Sequence, residues 1–171
     1  LHMGIAPAII APSHGIIWRS NPSKIIKAYL DWRSGLSRNK VVVVYDTMWG
    51  STDKMARAIV EGATSEGVEV KLLKRRASGL TEAVTEILDA KAVAVGSPTL
   101  NNQMFPTLSS FLTHITGLKP KDKLWAFFGS YGWGGKTVKD LAGILQGLPI
   151  ELLEPVLVRG LPGTEDLRAL D

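Results

Sequence analysis

Thr47, Ser51 and Thr52 place three hydroxyls in the stretch Asp46-Thr47-Met48-Trp49-Gly50-Ser51-Thr52-Asp53, between the run Val41-Val42-Val43-Val44 and an amphipathic segment carrying Met55, Ala56, Ile59 and Val60. A buried strand that turns directly into a helix is suited to holding a phosphate. The first backbone N–H groups of the helix have no partner within it, its dipole adds partial positive charge there, and the hydroxyls add neutral donors. The loop holds one glycine, Gly50, and no Lys or Arg, so it is neither a Walker loop nor a G-x-G-x-x-G fingerprint. Neutral donors suit the terminal phosphate of a mononucleotide such as FMN better than ATP with magnesium. The competing reading is a plain helix N-cap by Ser51 or Thr52.

Two further stretches have unusual chemistry. Gly96-Ser97-Pro98-Thr99-Leu100-Asn101-Asn102 is rich in amides and hydroxyls, and Gly129-Ser130-Tyr131-Gly132-Trp133-Gly134-Gly135 sets glycines among two large aromatics. A flavin ring needs apolar planes against its faces and backbone groups at its polar edge. Tyr131 or Trp133 can stack on such a ring, and the glycines let the backbone come close. The competing reading of the last stretch is a turn whose aromatics pack on a neighbouring helix.

These loops must be positioned by the elements around them. From about residue 40 apolar runs alternate with amphipathic segments, which predicts strands over 41–45, 68–73, 92–96, 123–128 and 152–158 and helices near 52–66, 80–89, 105–116 and 135–147. This is an α/β pattern for a flavodoxin-like, doubly wound, five-stranded parallel sheet of order 2-1-3-4-5. That order sets the first, third and fourth strands side by side, and each carries one of the three loops at its end. A last helix opens at Pro162-Gly163-Thr164-Glu165, and with Asp171 soon after it is expected to be truncated.

Residues 1–38 read as a short strand-helix extension: Ala8-Ile9-Ile10-Ala11 as a buried strand, Pro12-Ser13-His14-Gly15 as a turn, and Asn21-Pro22-Ser23-Lys24 as the capped start of a helix with Ile25, Ile26, Tyr29, Leu30 and Trp32. Ser34-Gly35-Leu36-Ser37-Arg38-Asn39 reads as a linker, with the main domain over 39–171.

At 171 residues, 45% hydrophobic, the chain suits one ordinary domain with a small extra segment. The formal charge of +4 is modest, and Lys71, Lys74, Arg75 and Arg76 form a basic run without interleaved aromatics, read as a solvated face and not a nucleic-acid site. With no cysteine there are no disulfides, thiolate metal ligands or thiol nucleophile. No secretory leader or membrane-length apolar run is present, which sets a cytoplasmic expectation.

The three loops together resemble the FMN loops in the flavodoxin domain of the A-type flavoproteins, or flavodiiron proteins. Ala11-Pro12-Ser13-His14-Gly15-Ile16-Ile17-Trp18-Arg19, with Pro22, Lys24-Ile25-Ile26, Tyr29 and Trp32, is similar to the end of the metallo-β-lactamase-like domain that precedes it in that family. The resemblance implies FMN held by Thr47, Met48, Trp49, Gly50, Ser51 and Thr52 at the phosphate, by Pro98, Thr99, Leu100 and Asn101 along the ribityl chain and ring, and by Ser130, Tyr131, Gly132, Trp133, Gly134 and Gly135 at the ring. It also implies electron transfer to a diiron site that reduces dioxygen or nitric oxide, a redox protein or reduced cofactor as donor, and pairing of two copies. His14 matches an iron-ligating histidine of the family, but the remaining histidines are His2 and His114 and no H-x-E-x-D cluster is present. His14 is therefore read as idle here, diiron as the property of a longer parent, and electron transfer as the only role of this chain alone, with no catalytic side chain. The alternatives are a free-standing flavodoxin or FMN-dependent quinone reductase, which would begin directly at the first strand, and a receiver-type regulatory domain. A receiver needs a phosphorylatable Asp where Gly96-Ser97-Pro98 stands.

Overall fold

The valine run is the centre of a parallel sheet because its side chains alternate between two apolar layers. Val42 and Val44 point into one core with Val93, Val95, Trp125 and Phe127, and Val43 and Tyr45 point into the other with Ala94, Phe128 and Val158. The computed structural model describes residues 6–134 and 137–170. The chain divides into two compact units, one ending at Leu36 and the next beginning at Ser37.

In the first unit, α1 spans Ser23–Arg33 and is opened by Asn21 and Pro22. The expected strand at 8–11 does not form. Ile10 makes a single antiparallel bridge with Trp18, and Ile9 stays 54% exposed, because no further strand among the described residues of this unit extends the pairing. The rings of Tyr29 and Trp32 meet edge to face at 5.2 Å.

The second unit runs β1 (Arg38–Tyr45), α2 (Ser51–Ser65), β2 (Glu69–Lys74), α3 (Leu80–Leu88), β3 (Ala90–Leu100), β4 (Gln103–Met104), α4 (Pro106–Leu118), β5 (Leu124–Tyr131), α5 (Thr137–Leu145), β6 (Glu151–Leu152), β7 (Val156–Arg159) and α6 (Thr164–Arg168). The parallel strands lie in the order β2-β1-β3-β5, followed by β6 and β7, which both pair with β5. Counted as one interrupted strand, β6 and β7 complete the expected order. Helices α3, α4 and α5 supply Ile87, Leu108, Phe111, Leu112, Ile115 and Leu141 to one core, and α2 and α6 supply Met55, Ala56 and Leu167 to the other.

Two further expectations need correction. Residues 96–100 continue β3 as strand and then turn through Asn101-Asn102 into β4. Both asparagines have positive φ, 50° and 60°, as a two-residue primed hairpin turn requires. The expected strand at 152–158 is broken at Leu153-Glu154-Pro155, where Pro155 has no N–H to give the ladder. The last helix is five residues long, although Leu167 and Leu170 still pack on the second core.

At the opposite end of β1 from the loops, Lys40 is 3% exposed and its Nζ reaches Glu86 at 2.6 Å and Asp89 at 2.9 Å. Burial pulls the Lys40 ammonium down, but hydrogen bonds to Glu86 and Asp89 more than offset that and leave it raised. The Glu86 carboxyl is lowered chiefly by Lys40, and Asp89 is lowered because its contacts to Lys40 and Arg38 outweigh its burial. Carboxylates depressed by folding stabilise it above their ordinary range and lose that contribution as pH falls. Lys40→Met is therefore expected to cost about 1–3 kcal/mol near neutrality and to flatten the acid limb of the stability–pH curve, as read by urea unfolding between mildly acidic and neutral pH.

Candidate functional site

The carboxyl ends of β1, β3, β5 and β7 converge on one cavity of about 770 Å³, within the range of ligand pockets. Its first wall is the β1–α2 loop, where Thr47, Met48, Trp49 and Ser51 line it. Gly50 sits behind them at the N-cap of α2, with φ +89°, and donates its N–H to Thr47 Oγ1 at 3.0 Å. That left-handed conformation suits glycine and turns the chain sharply into the helix. Thr52 is fully buried, and its Oγ1 has no hydrogen-bond partner among the described residues. No side chain caps α2, so Ser51 and Thr52 do not serve as the N-cap that one sequence reading allowed.

The second wall is Pro98, Thr99, Leu100, Asn101 and Asn102. Ser97 braces it from below: its Oγ accepts the Phe105 N–H and donates to the Pro98 carbonyl, both at 2.9 Å. Thr99 shares a 2.7 Å hydroxyl–hydroxyl bond with buried Thr137 at the start of α5. The third wall is Ser130, Tyr131, Gly132, Trp133 and Gly134, and Gly135 lies outside the described residues. The sequence reading did not anticipate a fourth wall, Gly160 and Leu161 after β7. Gly160, with φ +79°, donates its N–H to the Tyr131 carbonyl at 2.9 Å, and Arg159 Nε donates to the Gly132 carbonyl at 3.2 Å. The available signal was a glycine directly after a strand.

Trp49 is 88% exposed and Trp133 fully exposed, so both stand at the cavity's rim. His14 is exposed on the turn between Ile10 and Trp18, and His2 lies outside the described residues. Among the described residues no group of three or more His, Cys, Asp or Glu is placed to hold a metal ion. The basic run lies at the surface, with Lys74 and Arg76 exposed, but most of it is paired. Lys71 pairs with Glu82 at 3.1 Å, Arg76 with Asp46 at 2.9 Å, and Arg75 donates to the Ser78 carbonyl and lies over the Phe111 ring.

The donor set fits FMN. The lining residues among those described carry no charge, the first turn of α2 offers free amides, and the buried Thr52 hydroxyl in that turn, though not itself in the lining, has no partner among the described residues. Asp53, in that same turn, has both oxygens engaged, by the Tyr45 hydroxyl and by Arg57 Nε at 2.8 Å. The Tyr45 hydrogen bond first, and then Arg57, hold its carboxyl below the usual range. Burial, followed by the hydrogen bond to Asp53, pushes the Tyr45 phenol up to about 12. A raised phenol stabilises the fold fully below its unfolded value of about 10 and loses that contribution as pH rises through the folded one. Tyr45→Phe is expected to remove that alkaline loss, as measured by urea unfolding at increasing pH.

The flavodoxin family model, described as "Flavodoxin", matches residues 43–170. The chain belongs to the flavodoxin family. It is 48% identical over 168 residues to a nitric oxide reductase of Moorella thermoacetica, covering 97% of this chain and 42% of that protein. The solved rubredoxin oxygen:oxidoreductase of Desulfovibrio gigas superposes with a TM-score of 0.88 at 40% identity, over 98% of this chain and 43% of that one. The flavodiiron protein of Giardia intestinalis gives 0.85 at 33% identity, over 95% and 41%. The chain is thus an FMN-binding, flavodoxin-like domain of the flavodiiron type, and it spans well under half the length of these relatives.

Proposed function

We propose that this domain holds FMN in the four-walled cavity and serves as the electron-transfer step of a longer flavodiiron protein that reduces dioxygen or nitric oxide at a diiron site outside this chain. The observation that carries the reading is the neutral cavity at the start of α2, where the Thr52 hydroxyl, next in sequence to the lining residue Ser51, is buried without a hydrogen-bond partner among the described residues. Thr47, Ser51 and Thr52 hold the phosphate with the first amides of α2, while Met48, Trp49 and Gly50 shape that loop. Pro98, Thr99, Leu100 and Asn101 run along the ribityl chain and ring, and Ser130, Tyr131, Gly132, Trp133 and Gly134 close on the ring. When bound, FMN supplies reversible uptake of one or two electrons. The protein's part is to orient the ring, exclude water from it and set its potential through backbone groups.

The exposed Trp49, Trp133 and Leu161 at the cavity's mouth support a second protein surface closing over it, that of a redox donor or a second copy of the chain. Residues up to about 38 belong with the iron-binding domain of that longer protein, with His14 idle without co-ligands among the described residues, and the working compartment is the cytoplasm. No described helix is long and apolar enough to cross a membrane. The test is anaerobic: the FMN-loaded chain, reduced with dithionite and freed of excess, is mixed with a one-electron acceptor protein. The expected result is stoichiometric reduction of the acceptor, and no reduction beyond that seen with the flavin-free chain would sink the electron-transfer role.

A further inference from the structure

Asp46 is fully buried directly before the phosphate loop, yet it does not line the cavity. Its Oδ1 accepts the Thr47 N–H at 2.8 Å and Arg76 Nε at 2.9 Å, and its Oδ2 accepts the Thr107 hydroxyl at 2.7 Å. Arg76 also donates through Nη2 to the Thr47 carbonyl at 2.6 Å and lies over the Phe105 ring, 5.0 Å from its centre. Both polar groups of the Thr47 backbone are thus held, the N–H by Asp46 and the carbonyl by Arg76. The Thr47 hydroxyl oxygen in turn accepts the Gly50 N–H, and Gly50 sets the start of α2. A guanidinium makes this possible because its planar fork donates in two fixed directions at once, which an ammonium does not. Three elements are tied together: the loop after β1, the loop after β2 and the first turn of α4.

On the reading that the cavity binds FMN, we propose that Arg76, Asp46 and Thr107 are positioning residues for the phosphate loop, fixing Thr47 and the α2 amides so that the site prefers the phosphorylated flavin over riboflavin. None of the three lines the cavity. Their effect passes through Thr47, and it falls on the phosphate end of the ligand. Arg76 is 51% exposed at its side chain, so replacing it leaves the core unbroken.

The experiment measures fluorescence-quenching Kd values for FMN and for riboflavin with the full chain and with Arg76→Lys, Thr107→Val and Thr107→Ser. Arg76→Lys keeps the charge and loses the fork; Thr107→Val keeps the shape and loses the hydroxyl; Thr107→Ser keeps the hydroxyl. The expected result is that the riboflavin-to-FMN Kd ratio falls by about tenfold or more in Arg76→Lys and Thr107→Val, the scale of a lost hydrogen bond to a charged group, and returns to the wild-type ratio in Thr107→Ser. A general loosening of the fold would weaken both ligands equally and leave the ratio unmoved. An unchanged ratio in Arg76→Lys and Thr107→Val, with wild type preferring FMN, overturns the clamp alone. A wild-type chain that binds neither flavin overturns the clamp together with the reading beneath it.

Discussion

Thr52→Val is expected to weaken FMN binding by about ten- to a hundredfold, the scale of one hydrogen bond to a charged group, while leaving the free chain as stable as before or about 1 kcal/mol more so. The two signs differ for one reason. In the free chain the Thr52 hydroxyl is buried without a partner among the described residues, so it contributes only the cost of its desolvation. Valine has nearly the same shape and no polar atom to desolvate. With a phosphate bound the hydroxyl gains a charge-assisted bond that valine cannot make. Paired isothermal titration with FMN and urea unfolding of the flavin-free protein read both signs on one variant. A loss of stability in the free chain would show that Thr52 already has a structural partner.

Gly129→Ala is expected to cost about 3 kcal/mol of stability and to weaken FMN binding as well. A Cβ on Gly129 would run into the backbone carbonyl of Ser97 on the neighbouring strand, and neither strand can move aside within the sheet ladder. The displaced residue, Ser97, lies directly beneath the second wall of the cavity, which begins at its neighbour Pro98. Gly117 provides the opposite case. It sits in α4 with nothing within 4 Å of where a Cβ would be, so Gly117→Ala is expected to add about 0.5–1 kcal/mol through helix propensity. Thermal and urea unfolding of the two variants should move in opposite directions.

The parts legible in the sequence were those whose signal is local. Four consecutive valines and the amphipathic stretch after them place β1 and α2, and the glycine-rich run at 129–135 marks the end of β5. The Asn101-Asn102 turn was within reach of local reasoning, since asparagine tolerates positive φ, but the hydroxyls and Pro98 around it read more naturally as loop. Gly160 and Leu161 were missed because Pro162-Gly163 was read as the start of the last helix, which drew attention away from the glycine before it. The Asp46–Arg76–Thr107 cluster was out of reach for a different reason. Its members are 30 and 61 residues apart in the chain, and only the folded sheet brings the ends of β1, β2 and the start of α4 together. For the same reason the basic run read as solvated, although Lys71, Arg75 and Arg76 each have a partner supplied by the fold.

Titration of FMN with the flavin-free full chain, followed by quenching of flavin fluorescence, shows whether the cavity holds the flavin. The expected result is saturable quenching with an end point of one FMN per chain and a clear preference over riboflavin. Fluorescence that stays unquenched at excess protein would contradict the assignment of this cavity as an FMN site.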